Sequence, residues 1–445
     1  MTERRQMRLG VFVQAPGHHV GGWRHPDAVT GDWPNLPLMQ HVAAAAERGR
    51  FDLFFLGDGY ATGYGEHPST IGKFEPLTLL AALAMGTRRL GLAATASTTY
   101  GEPYHVARGF ASLDHLSRGR AAWNVVTTAY DKSAAVFGRP HPPHAERYAM
   151  AGEFVAACRA LWDSWDDDAF DADKVAGQFV RPGSLHVPAF HGKYFTVTGA
   201  LNVPRAPQGH PVLIQAGSSG PGQALAAAVA DVVFTAQNDL AEALAFRRAL
   251  AAGIVRAGRR PEDVRVMPGL VPVIGRTRAD AEALFAELNA AIDPRQASTV
   301  LSERLGIDIA GLPLDGPVPD LPGTEALKSR ADLLLAMARR EGLSLRDLYH
   351  RVAAARGHLL VVGTAADVAE RMAEWFEAGA ADGFNVMPPF FPGPFDAFVD
   401  GVVPLLRARG LFRTEYGGET LRDHLGLARP PDARHAAVRD PRRRG

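Results

Sequence analysis

Three short stretches combine residue types and spacings that could hold or transform a small molecule. The first, Gln215-Ala-Gly217-Ser218-Ser219-Gly220-Pro-Gly222, follows an apolar run and opens an alanine-rich helical pattern. Its small residues let backbone approach a ligand, its serines offer hydroxyls, and the free N–H groups of a helix start attract phosphate. A serine N-cap followed by a glycine turn would read the same way. The stretch is neither a dinucleotide fingerprint in its βαβ setting nor a Walker loop, since no Lys-Ser/Thr follows the glycines. One monophosphate therefore suits it better than a dinucleotide or a nucleoside triphosphate.

In the second stretch, His144, Arg147 and Tyr148 stand at the entry to a long helical pattern read over Tyr148–Trp165. Residues four apart share a helix face, so an early helix start would let the His144 imidazole and the Tyr148 phenol address one ligand, a ribityl chain or a phosphate. Tyr148 could equally be a core-edge residue. The third stretch, His18-His19, invites a metal reading that its spacing rejects: adjacent residues on a strand point to opposite sides, and no later strand ends in a histidine ligand, so no metal is expected. The other histidines, His141 among them, read as solvated or locally hydrogen-bonded. No G-x-S-x-G elbow is present, and Cys158 reads as a buried small hydrophobe within a helix, which leaves nucleophilic catalysis without a carrier.

The elements that must position these residues follow from the alternation of short apolar runs with helical patterns. Strands are expected at Leu9–Gln14, Asp52–Leu56, Leu90–Ala96, Ala121–Thr127, Val212–Ala216, Val232–Thr235, Val264–Ile274 and Phe384–Pro388, with helices between them. Repeated β-α units of this number predict an α/β protein with a (β/α)8 TIM barrel, whose active site lies where the strands end. Those ends carry His18 and Trp23, Asp58, Thr95 and Asn124 in turn; Asp58-Gly59 by itself is also a turn signal. Two intervals exceed a minimal barrel, about 166–208 after strand 4 and 293–358 after strand 7. The second is expected to be either a lid or an oligomer-forming excursion with its own helix over Glu325–Arg340. Residues 1–428 are read as one barrel domain and 429–445 as a mobile tail.

Composition limits the classes of function. The 445 residues include 48 basic and 48 acidic side chains, 47% hydrophobic residues and one cysteine. Zero net charge without a basic block argues against nucleic-acid binding. A lone cysteine can form neither an intramolecular disulfide nor a thiolate zinc site. With no export signal or membrane span read in the sequence, a cytoplasmic location is expected.

Six ordered motifs carry a resemblance: His18-His-Val-Gly-Gly-Trp-Arg-His-Pro26, Phe51-Asp-Leu-Phe-Phe-Leu-Gly-Asp58, Ala94-Thr-Ala-Ser-Thr-Thr-Tyr100, Ser117-Arg-Gly-Arg-Ala-Ala-Trp123-Asn-Val-Val-Thr-Thr128, Pro211-Val-Leu-Ile-Gln-Ala-Gly-Ser-Ser219 and Asp382-Gly-Phe-Asn-Val-Met387. From about Arg8 to Leu411 the chain resembles the bacterial-luciferase-like flavin-dependent monooxygenases, in the branch of nitrilotriacetate monooxygenase component A, dibenzothiophene sulfone monooxygenase and long-chain alkane monooxygenase. The resemblance implies a barrel using FMNH2, delivered by a separate and transiently bound NAD(P)H:flavin reductase, with O2 forming a C4a-hydroperoxyflavin that oxygenates a small organic substrate. It further implies that Asp58 and Thr95 lie near the isoalloxazine and Asn124 at its pyrimidine edge. His144 and Tyr148 would follow the ribityl-phosphate arm, and Gly217, Ser218 and Ser219 would take the phosphate. His18, Trp23 and Tyr64 become candidates for the catalytic pocket wall or proton management, Phe390 and Phe391 for a roof or for core, and Arg24 or Arg108 for a substrate carboxylate. Arg108 could instead pair with Asp114. A homodimer or homotetramer is expected by the same kinship. Two alternatives remain, an F420-dependent oxidoreductase of the same fold and a non-catalytic flavin-binding barrel. The absence of basic residues between Gly217 and Arg247 favours FMN over F420.

Overall fold

A computed structural model describes residues 5–60, 71–217, 219–293, 298, 301–302, 305, 308–309, 311–318 and 328–431. Within it, eight parallel strands close a barrel: β1 (Arg8–Val13), β2 (Leu53–Leu56), β3 (Gly91–Ser97), β4 (Ala121–Val126), β5 (Val212–Gln215), β6 (Val232–Thr235), β7 (Arg265–Ile274) and β8 (Gly383–Val386). Closure comes from β7, which pairs with β6 through Arg265–Pro268 and with β8 through Gly269–Leu270, while β8 pairs with β1. A ninth parallel strand, Leu359–Gly363, lies along the C-terminal half of β7 and was not anticipated from the sequence, although Leu-Leu-Val-Val is a strand-like run.

Period-two alternation sorts the strand residues. Leu9, Val11, Phe54, Leu92, Trp123 and Leu213 face outward into the layer beneath the helices. Leu53, Phe55, Ala93, Ala122, Ile214, Val232 and Met267 fill the interior. Two residues beyond Ala93 and Ala122, the same alternation turns Thr95 and Asn124 inward, and the two sit opposite each other in register.

The outer helices are α1 (Leu36–Arg48), α2 (Pro76–Gly86), α3 (Pro103–Ser117), α4 (His144–Trp162), α5 (Gly220–Val229), α6 (Leu240–Arg256), α7 (Arg278–Ala290) and α8 (Ala365–Glu377). Capping explains several boundaries: Asn35, Glu75, Ser219 and Asp239 each accept a backbone N–H from the first turn, and Thr277 and Thr364 form capping boxes. Helix α4 begins at His144, one turn earlier than the Tyr148 start read from periodicity, and ends at Trp162, before Trp165. Pro143 precedes it and fixes the entry.

At the N-terminal end of the barrel the short helix Leu421–Leu425 acts as a plug: Leu421, Leu425 and Leu427 join the interior cluster. A Cβ on Gly91 would lie 2.6 Å from a Leu421 methyl, so the close approach requires glycine there. The insertion after α4 includes a small hairpin, Phe190–His191 with Thr196–Val197. The insertion after α7 includes helices Lys328–Glu341 and Leu345–Ala355. Its buried residues Leu348, Tyr349 and Val352 form a core with Val20 of the loop leaving β1, and Val20 N–H donates to Ala353 O at 3.0 Å. Residues 432–445 lie outside the described part, but Arg429, expected to belong to a mobile tail, donates to Pro207 O at 2.8 Å and pairs with Asp167. No helix among the described residues is long and apolar enough to cross a membrane.

Candidate functional site

Two sides of the barrel mouth converge on Gly217. Gln215 ends β5 and its Oε1 accepts the Gly217 N–H at 2.7 Å, which folds the loop back on itself. A Cβ on Gly217 would lie 2.6 Å from Gln215 Nε2, 2.8 Å from Gly222 Cα and 3.0 Å from the Tyr148 hydroxyl, so only glycine lets the phenol of α4 and the start of α5 pack this closely against the loop. His144, one turn before Tyr148, sets its ring edge-on to the phenol with centroids 5.0 Å apart. Ser219 is the N-cap of α5, its hydroxyl accepting Gly222 N–H at 3.3 Å. The N-cap reading of this segment is thus correct for Ser219. Ser218 lies outside the described residues.

Inside the mouth, the Thr95 hydroxyl donates to Leu56 O at 2.9 Å, so its oxygen accepts from Asn124 Nδ2, also at 2.9 Å. That pair orients the amide and leaves Asn124 Oδ1 buried without a partner. A buried acceptor of this kind is costly unless a ligand N–H meets it. Asp58, after β2, is mostly buried; burial raises its carboxyl above the usual range, and Lys73 at 3.6 Å opposes the shift. Beside them a small cavity of about 30 Å3 opens between the ends of β1 and β2 and helices α1 and α2, lined by Gln14, Trp33, Asn35, Met39, Lys73 and Phe74.

The runs ending β3 and β4, Ala94–Tyr100 and Trp123–Thr128, stand among the sequence motifs, but the corner they build together could not be read from them. Thr128 has φ 48°, a strained value for threonine, and is held by its hydroxyl bond to Ser97 Oγ at 2.6 Å and by Arg147 Nη1, which donates to Thr128 O at 2.6 Å and Thr127 O at 3.1 Å. Ser97 Oγ also accepts the N–H of Thr99 and Tyr100, and the Tyr100 hydroxyl bonds His141 Nδ1 at 2.8 Å. His141 is locally hydrogen-bonded as expected, but its place at the mouth could not be read from spacing.

His18 and Trp23 fall on the opposite side, among β1, β7 and β8. His18 Nε2 bonds Phe12 O at 2.7 Å and its N–H donates to Pro388 O. Trp23 lies in a one-turn helix, Gly22–Arg24, with a buried indole Nε1 lacking a partner. Neither meets His144 or Tyr148. Tyr64 lies outside the described residues. Arg24 donates to Ala291 O, and Arg108 is exposed on α3. Asp114 does not pair with Arg108: it accepts Ala121 N–H and both Gln208 donors, a buried brace between α3, β4 and the chain before β5. Phe391 is core beside Phe395, while Phe390 stacks on His25 at 4.2 Å. Cys158 is fully buried, and burial pushes its thiol well above the ordinary value. Among the described residues no three His, Cys, Asp or Glu side chains gather as metal ligands.

Residues 7–382 match the family model described as luciferase-like monooxygenase. The chain is 48% identical over 433 residues to N-acetyl-S-(2-succino)cysteine monooxygenase of Bacillus subtilis, covering 96% of this chain and 98% of that one. It is 44% identical over 450 residues to nitrilotriacetate monooxygenase component A of Aminobacter aminovorans, covering 97% and 99%. A crystal structure of riboflavin lyase with modified FMN and substrate riboflavin superposes with a TM-score of 0.86 at 32% identity, covering 96% and 97%.

Proposed function

This chain belongs to the luciferase-like monooxygenase family and is a flavin-dependent monooxygenase, and from that premise we propose that it uses reduced FMN, supplied by a separate NAD(P)H:flavin reductase, to oxygenate a small organic carboxylate. The observation that carries the FMN assignment is the cradle at Gly217, where a phenol, a glycine backbone and a helix start meet with no room for a side chain. A flavin phosphate fits it: the Tyr148 hydroxyl donates one hydrogen bond and the α5 N-terminus attracts the charge. Asn124 fits the other end, since its unpartnered Oδ1 matches the N–H of a flavin pyrimidine edge.

Reduced FMN, when bound, supplies the electrons that activate O2. The protein's tasks are to hold, orient and dry. Tyr148, steadied by His144, anchors the phosphate; Thr95 fixes which way the Asn124 amide faces; Asp58, its carboxyl raised by burial, sits beside Lys73 near the ring end. The described helix Leu345–Ala355 of the 293–358 insertion and Arg356 after it, bound to the loop leaving β1 through Val20 and through Arg356 Nη1 to Gln14 Oε1 at 2.5 Å, cover one side of the mouth against water. The carboxylate substrate class follows the relatives at 48% and 44% identity, whose named substrates are polycarboxylates. Relatives at 48% and 44% identity are monooxygenases, which favours this reading over F420 hydride transfer or a non-catalytic barrel.

The test is O2 uptake and product formation by the purified chain with a flavin reductase, FMN and a panel containing N-acetyl-S-(2-succino)cysteine and nitrilotriacetate. Substrate-dependent oxygenated product supports the reading. Flavin oxidation that yields peroxide alone, with carboxylate and non-carboxylate substrates alike, rejects it.

A further inference from the structure

At the β3–β4 corner, cationic donors gather around backbone carbonyls with no carboxylate ion-paired to them among the described residues. Arg147 is 6% exposed and forms no ion pair among the described residues; its Nη1 serves two carbonyls and its buried Nε has no partner. Arg139 lies over the Tyr100 ring at 5.4 Å, with Nη2 3.5 Å from Thr99 O, and likewise has no carboxylate partner among the described residues. Burial keeps Tyr100 protonated, and burial and Arg147 together keep His141 neutral. The Tyr100 hydroxyl and His141 Nδ1 share a hydrogen bond whose direction is set by the imidazole tautomer, and His141 Nε2 is a buried atom with no partner, which serves as a donor in the Nε2–H tautomer. Thr99 ties the three together: its hydroxyl donates to the Thr127 O that Arg147 also uses, and its own carbonyl faces Arg139. Asp131, exposed, is the carboxylate whose charge reaches Tyr100 and His141. An uncompensated buried guanidinium is expensive until an anion arrives.

We propose that this corner is the subsite for a carboxylate group of the substrate, with Arg139, His141 Nε2 and Arg147 as its donors and Tyr60, Tyr100 and Phe137 as the wall for the adjoining carbon skeleton. The proposal rests on the monooxygenase reading and adds which residues select the substrate. The wall is built: Tyr100 and Phe137 stack at 4.6 Å, Tyr60 meets Phe137 edge-on at 4.9 Å, and Phe137 is 37% exposed, open to a ligand. The corner is separate from the phosphate cradle. Arg147 and Tyr148 are consecutive on α4, about 100° apart around the helix, so one reaches back to the carbonyls of Thr127 and Thr128 while the other reaches Gly217. The cavity beside β1 and β2 is a poorer carboxylate site, since its cation Lys73 already neutralises Asp58.

The experiment is calorimetric titration of the full chain with tricarballylate, its neutral triamide, FMN and riboflavin, for wild type and for Arg139→Gln, His141→Leu and Arg147→Gln. Wild type should bind tricarballylate and not the triamide. Each variant should weaken tricarballylate binding on the order of tenfold or more while leaving FMN affinity unchanged. Arg139 and His141 brace less of the β4 end than Arg147, so their variants keep the test open should Arg147→Gln fold poorly. Equal binding of acid and triamide, no tricarballylate binding by wild type, or variants with wild-type affinity would overturn the proposal. So would variants that lose FMN but not riboflavin, which would give the corner to the flavin phosphate. A wild type that binds carboxylate but not FMN would instead reject the cofactor reading beneath it.

Discussion

At the N-terminal end of the barrel, Asp52 accepts Leu9 N–H at 2.7 Å and pairs with Arg413, which also donates to His424 O; Arg422 pairs with Asp231 at 2.9 Å; Asp114 accepts three donors from Ala121 and Gln208. At the mouth, Asn124 Oδ1, Arg147 Nε and His141 Nε2 are just as buried and meet nothing. Both ends are made of polar groups removed from water. Around the Leu421–Leu425 plug the charged groups are paired internally, with the His424 ring nitrogens left without partners, and this pairing holds the barrel together; at the mouth an amide oxygen, a guanidinium and an imidazole are left open and so are prepared for a ligand. Stability and binding should accordingly respond to different substitutions.

The largest expected effect is at the closed end. Asp52→Ala strands the buried Arg413 guanidinium and the Leu9 N–H, and should cost about 3–5 kcal/mol in urea unfolding with FMN affinity of the folded fraction unchanged. At the open end, Ser218→Ala with Tyr148→Phe should do the reverse, weakening FMN binding by about 2–5 kcal/mol together with little change in melting temperature. A matching loss of stability would erase the contrast.

An acid titration sharpens it. His424 packs against Tyr416 at the closed end, and burial pushes its imidazole down to about 4. In the unfolded chain the same ring takes up its proton near pH 6.5, so between these values the unfolded state binds more protons. Stability is full above pH 6.5 and falls as pH drops toward 4, by about 3 kcal/mol from this group. His424→Gln should flatten that slope; an unchanged slope assigns acid loss elsewhere. Least affected should be Lys73→Ala: the Lys73–Asp58 pair is partly exposed, and its loss should cost about 0.5–1 kcal/mol or less, reduced further by salt.

The barrel was legible in the sequence because eight apolar runs alternate with helical patterns, and each run falls within a few residues of an observed strand. The strand at Leu359–Gly363 was missed because the long insertion concealed a run outside the β-α rhythm. Gly217, Tyr148 and His144 could be nominated because small residues at a helix start and a four-residue spacing have local meanings. Arg147 was noted beside them, but its joint role with Tyr100 and His141 could not be read, since that role lies in hydrogen bonds through Thr99, Thr127 and Thr128 that join two strand ends. His18 and Trp23 were grouped with the site because they follow β1; closure of the barrel sets that loop against the end of β8, at the same mouth but away from His144 and Tyr148.

The claim on which the rest depends is that Tyr148 and the Gly217 loop grip a flavin phosphate. Dissociation constants of reduced FMN and reduced riboflavin for the purified chain, before and after Tyr148→Phe, address it directly. FMN should bind at least about tenfold more tightly than riboflavin, and Tyr148→Phe should narrow that ratio without altering riboflavin binding. Equal affinity for the two flavins in the wild-type chain would contradict it.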